Sequence, residues 1–149
     1  MTRAFHQWTI AWFVLCGALA FHLYEEATAG ARQSYGATMD YLRQLFPWLP
    51  PFHFTIWLVD VVGALLVLFA LTWFVHKRRK LMLPASYAFA TFTTVDATLH
   101  LLPRFAGVEY FAGTQSALLL LAASLYLLLS IPRRGALANP PQSGPSAAH

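Results

Sequence analysis

Charge is the first thing this sequence has little of. Asp, Glu, Lys and Arg make up only 11% of its 149 residues, where a soluble domain carries about a quarter. That deficit excludes an ordinary water-facing globule. The chain has one cysteine, Cys16, so no internal disulfide framework is available, and Cys16 inside an apolar stretch is expected to serve packing. No Gly-rich phosphate loop, Gly-x-Ser-x-Gly elbow or internal repeat occurs. The net charge of +4 would suggest nucleic acid in a soluble chain. Here the cations sit in short runs beside apolar stretches, so they read as topology signals and no nucleic-acid partner is expected.

What is there is apolar: 58% of residues are hydrophobic and the mean hydropathy is +0.52. These residues fall into four blocks, about Trp8 to Tyr24 (8–24), Phe54 to Val75 (54–75), Met82 to Leu102 (82–102) and Gly113 to Ile131 (113–131). As helix, each reaches across most or all of about 30 Å of hydrocarbon. The expected fold class is all-α, an integral membrane bundle of four transmembrane helices forming one domain over 1–132. Arg3, Lys77, Arg78, Arg79, Lys80, Arg133 and Arg134 fall on one side of such a bundle, and Arg32, Arg43 and Arg104 on the other. The positive-inside rule then places both termini and the His76-Lys77-Arg78-Arg79-Lys80 segment in the cytoplasm, in an inner or plasma membrane.

The long outer loop, 27–51, alternates apolar and polar residues at helical spacing before its prolines, so a helix lying in the interface and anchored by Trp48 is expected. The rival for the first block is a secretory signal cut after Ala27-Thr28-Ala29, against which stand its length and the two glutamates before the cut. The tail 133–149, rich in Pro, Gly, Ser and Ala, is expected to be disordered.

Direction assigns a depth to each polar residue. His22 comes near the outer end of the first span, with Glu25 and Glu26 a turn beyond. His53 stands at the mouth of the second, with Asp60 about 10 Å deeper and expected on the same face as Trp57. Asp96 lies about 10 Å below the outer end of the third, with His100 one turn nearer the surface on the same face. All seven fall in the outer half of the bilayer. An acid inside a span costs about 2.5 to 3.5 kcal/mol on insertion scales and usually faces a bundle interior. Gln115 and Ser116, at the outer start of the fourth span, can face this cluster or serve as caps. Glu109 and Arg104 border a short outer loop as a surface pair.

His22-Leu23-Tyr24-Glu25-Glu26 resembles the signature of the HXXEE-domain family of small multi-span membrane proteins, named for that pattern near the end of the first helix. The resemblance covers the layout of most of the chain and carries over His22, Glu25 and Glu26 as family residues. Asp96 and His100 occupy the place of a later polar and histidine pair. A looser similarity, in size and layout, is to the emopamil-binding-like sterol isomerases.

Three chemistries are open to these residues. In the first, His22, Glu26, Asp96 and His100 hold a divalent metal such as Zn, Fe or Mn, for which nitrogen and oxygen donors without thiolate are suited. In the second, with Glu25, Glu26, Asp60 and Asp96 as the catalytic set, a carboxylic acid kept protonated in low dielectric donates a proton and a neighbouring carboxylate or histidine accepts one, without metal, on an isoprenoid or sterol-like molecule, with Trp12, Trp57 and Phe92 facing a developing cation. In the third, the same groups carry ions or protons in a binding or transport protein. The expected partners are the lipid bilayer and a lipophilic small molecule.

Overall fold

The computed structural model describes residues 3–77, 80–105 and 113–132. They form five helices: α1 (Arg3–Thr28), α2 (Ala31–Leu45), α3 (Phe54–His76), α4 (Met82–Phe105) and α5 (Thr114–Ser130). No strand occurs among the described residues. The tail, Glu109, Arg78, Arg79 and the side chain of Arg104 lie outside them.

Two helices, Phe5–Thr28 and Phe54–His76, are long and apolar enough to cross a membrane by length and composition, and Thr114–Ser130 is apolar but shorter. Helix α4 has the length, but its threonines, Asp96 and His100 dilute its hydropathy.

Helix α1 is the centre of the molecule. It packs against α3 on one side and α5 on the other, and α4 lies along α5. Two tryptophans explain why α1 holds this place. Trp8 is fully buried and donates its indole N–H to Ser86 Oγ of α4 at 3.0 Å. Trp12 donates to the backbone carbonyl of Leu68 in α3 at 3.0 Å and sets its ring 5.1 Å from Phe89 of α4. Each indole therefore buries a large apolar surface while its one polar atom is satisfied. Ala90, Thr93 and Ala97 recur at helical spacing on the buried face of α4, opposite Ala117, Leu120, Ala123 and Ser124 of α5. Small side chains let the two backbones approach, and Thr94 Oγ1 donates to Ser124 Oγ across the seam at 3.0 Å.

Helices α3 and α4 pack on α1 and α5 respectively rather than on each other. A cleft of about 730 Å³ lies between them, with α1 as its floor. At its upper end α2 folds back over the bundle. The reversal from α1 is made at Gly30, whose φ of 113° lies in the left-handed region that glycine enters without steric cost. Helix α2 begins at Ala31 and ends before Pro47, and Tyr35 on it packs against Trp57 of α3 at 5.5 Å.

Candidate metal centre

Four side chains from α1 and α4 converge below α2. His22 and Glu26 are one helical turn apart on α1, Asp96 and His100 one turn apart on α4. His22 Nε2 lies 3.6 Å from Asp96 Oδ2 and 3.9 Å from Glu26 Oε1. His100 Nε2 lies 3.0 Å from Glu26 Oε1 and 3.8 Å from Asp96 Oδ1. The two imidazoles meet edge to face with centroids 4.7 Å apart. His22 is fully buried, Glu26 3% and His100 8% exposed, while the Asp96 side chain keeps 30% exposure on the cleft side. His22, Asp96 and His100 form a group that could hold a metal ion, each offering a ligand atom within 4.8 Å of the others.

The tautomer of His22 follows from its surroundings. Ser116 of α5 has one hydroxyl proton and donates it in a short bond to Glu25 Oε2. Glu25 also accepts the backbone N–H of Ser116 at 2.8 Å and of Gln115 at 3.2 Å, a set of donors that suits a carboxylate. With its proton committed, Ser116 Oγ accepts from His22 Nδ1 at 2.9 Å. The proton of His22 is therefore on Nδ1, and Nε2 turns a lone pair into the cluster. That Nε2 is buried and has no hydrogen-bond partner among the described residues. An unsatisfied buried acceptor costs about 1–3 kcal/mol, and here it points between two carboxylates and a second imidazole.

Glu25 thus has a different task from Glu26. Helix α5 starts after Gly113, which offers no side-chain cap, and Glu25 closes its first turn from another helix by accepting two orphan N–H groups near the positive end of the helix dipole. Replacement of Glu25 by alanine is expected to cost about 0.5–2 kcal/mol, as for loss of an N-cap, read as a lower midpoint in thermal unfolding in detergent. Gln115 is exposed and contributes through its backbone.

Tyr35, on α2, donates its hydroxyl to Glu26 Oε1 at 2.7 Å. Burial and then this bond push the hydroxyl well above the ordinary tyrosine range, so Tyr35 remains a donor and holds the Glu26 carboxylate in place. Gly113 is the other residue that a sequence pattern does not reveal. Its φ is 86°, and a Cβ there would lie 2.7 Å from His22 Cε1 and 2.8 Å from His100 Nδ1. The absence of a side chain is what admits both imidazoles.

Two expected members do not join. Asp60 is exposed, outside the cleft lining. The cleft side of α3 is drawn by Trp57, Val61, Ala64, Leu65, Val67 and Leu68; Asp60 shares its side of the helix with Trp57, Ala64 and Val67, three, four and seven positions away, but is exposed and no part of the lining. His53 is exposed at the N-cap of α3, where it lines a separate pocket with Gly36, Phe52 and Phe54. Of the aromatics expected around a substrate, Trp57 and Phe92 line the cleft, whereas Trp12 is 1% exposed and ties α1 to α3. Compared with family models, with curated proteins and with solved structures, the chain matches none.

Proposed function

We propose that this protein is a membrane-embedded metalloenzyme in which His22, Glu26, Asp96 and His100 bind one divalent ion beside a lipophilic substrate. One observation carries the reading: the buried, unpartnered Nε2 of His22, held as a lone pair by the Ser116 and Glu25 chain and aimed at the other three side chains. The four nitrogen-to-carboxylate separations, 3.0 to 3.9 Å when taken to either oxygen of Asp96, and the ligand atoms of His22, Asp96 and His100 within 4.8 Å of one another are short enough for these side chains to share one ion. Two nitrogens, two carboxylates and no thiolate suit Zn, Fe or Mn. Such an ion would polarise a substrate oxygen or acidify a water, and Asp96, the most exposed of the four, is the group best placed to exchange a proton with a molecule in the cleft.

In this reading α1, α3, α4 and α5 cross the bilayer with both termini and the basic 76–80 segment in the cytoplasm, and α2 lies in the outer interface. The apolar side chains that α3 turns outward, Val59 at 65% and Leu66 at 66% exposed among them, support it, since in water they would form an unfavourable patch. The likeness to the HXXEE pattern acquires a physical meaning: the histidine and the second glutamate, four apart, go to the metal, and the first glutamate splints α5.

A second reading is favoured by the 3.0 Å contact of His100 Nε2 with Glu26: a hydrogen-bonded acid and base working without metal on an isoprenoid or sterol-like double bond. Elemental analysis of detergent-purified protein separates the two. About one equivalent of Zn, Fe or Mn per chain is expected; a protein free of metal that nevertheless converts a lipophilic substrate establishes the second reading. Within the metal reading, Ser116→Ala removes the acceptor that fixes His22, and metal affinity is expected to fall by about 10–100-fold, measured by competition with a chelating dye.

A further inference from the structure

The cleft between α3 and α4 is apolar along nearly all its length. Leu19 and Leu23 floor it, Val61 and Leu65 form one wall, Phe89 and Phe92 the other. Its polar members, Glu26, Tyr35 and Asp96, all belong to the end at the metal-ligand cluster. On α3 the lining runs from Trp57 to Leu68, a length of about 16 Å along the helix. That is close to half the thickness of the hydrocarbon core, the depth of a single leaflet. The volume of about 730 Å³ falls within the range of sites that hold one small molecule. Phe92 is 67% exposed and Ala64 is exposed as well, so the groove is open at its side, where the membrane reading above puts acyl chains.

Charge restricts the head group. Two carboxylates face the polar end, and no Lys or Arg among the described residues lines the cleft. A phosphate or carboxylate head would meet two carboxylates whose charge already balances that of a divalent ion, with no cationic side chain among the described lining residues to bind it. A neutral oxygen, by contrast, can approach an ion held by the cluster and, as an alcohol, donate to Asp96 or to the Tyr35 oxygen, whose own proton goes to Glu26.

We propose that the cleft binds a lipid with one long hydrocarbon chain and a neutral oxygen head, an alcohol or ketone, which enters sideways from the outer leaflet between α3 and α4 and brings its oxygen to Glu26, Tyr35 and Asp96. This rests on the membrane placement and lipophilic substrate proposed above, and it adds the class of molecule and its route.

The test uses the full-length protein in detergent, with a long-chain fatty alcohol carrying a mid-chain diazirine as the probe and mass spectrometry to locate the label. Labels are expected on Val61, Leu65, Phe89 or Phe92, competed by an unlabelled long-chain alcohol or ketone but not by a long-chain carboxylate or a diacyl phospholipid. Ala64→Trp, which fills the open side of the groove, is expected to weaken labelling about tenfold, the effect of displacing roughly two buried methylenes. Label spread equally over Ile56, Val59 and Leu66 on the outward face, or equal competition by a carboxylate, overturns the proposal. The wild-type map decides this even where the tryptophan variant fails to fold. Metal is measured on the same samples: cleft labelling in metal-free protein overturns the metal centre and leaves the lipid assignment standing, whereas metal-loaded protein labelled only on the outward face overturns the lipid assignment alone.

Discussion

Alanine at His22 is expected to reduce the bound metal from about one equivalent per chain to background, and to abolish the destabilisation that a chelator causes in the parent protein. The physical basis is linkage. An ion that binds the folded bundle and not the unfolded chain stabilises the former by about 2.7 kcal/mol at a hundredfold excess over its dissociation constant, and by about 4.1 kcal/mol at a thousandfold. For a chain of this size a chelator should therefore lower the unfolding midpoint by about 5–15 °C. His22 is the decisive position because its Nε2 has no competing partner, whereas His100 Nε2 already contacts Glu26 at 3.0 Å. His100→Ala should also lose the metal. Because His22 is fully buried, its alanine variant is destabilised in any case, so the discriminating readout is the chelator response and not the midpoint itself. Parent protein that is metal-free after purification, takes up no added Zn, Fe or Mn, and melts identically with and without chelator would sink the metal centre.

The second large effect is expected from one methyl group. Gly113→Ala asks an L-residue to hold a φ of 86°, at about 1–2 kcal/mol. It also drives a Cβ to 2.7 Å from His22 Cε1 and 2.8 Å from His100 Nδ1, overpacking worth about 1–3 kcal/mol. Together these give a loss of about 2–5 kcal/mol. Both imidazoles must also give way, so a fall in metal affinity of about 10–100-fold is expected, as when the groups that orient metal ligands are changed. Gly113→Asn separates the two causes, since asparagine tolerates the left-handed region but still carries the Cβ. It is expected to repair the backbone cost and not the metal affinity. Gly17→Ala is the control: a Cβ at Gly17 meets nothing within 4 Å, and in a helix interior the change is expected to be neutral or to stabilise by up to about 1 kcal/mol. Should Gly113→Ala match that control in stability and metal content, the close approach of the two histidines to Gly113 is not a feature of the folded protein.

The division of labour between Glu25 and Glu26 bears on how variants of this chain should be interpreted. The two are adjacent in sequence, yet one closes the first turn of α5 and the other faces His100 and Tyr35. A helix turns by about 100° per residue, so neighbouring carboxylates serve different partners as soon as different helices pack on either side. Loss of Glu25 acts on stability and, through Ser116, on the tautomer of His22. Loss of Glu26 acts on the site directly.

Much of this was legible in the sequence for a simple reason: a helix repeats. His22 with Glu26, and Asp96 with His100, are each four apart, so each pair shares a face whatever the tertiary arrangement. The scarcity of charge and the apolar blocks pointed to helices at Phe54–His76 and Thr114–Ser130 without reference to packing. What the sequence could not decide was the rotation of a helix that is apolar on every side. Helix α3 buries only Val75 and offers no polar face from which to infer its orientation, so the spacing that puts Asp60 on the side of Trp57 could not tell that it stands exposed, outside the cleft lining. Nor could periodicity find Tyr35, whose place depends on the reversal at Gly30, or Gly113, whose importance lies in what it omits. The cap that Glu25 provides joins residues about ninety apart in the chain. Local spacing determines which side chains travel together along one helix; only the packing of α1 against α4 and α5 determines which of them meet, because that depends on helix rotation and close approach, on which a single periodic segment carries no information.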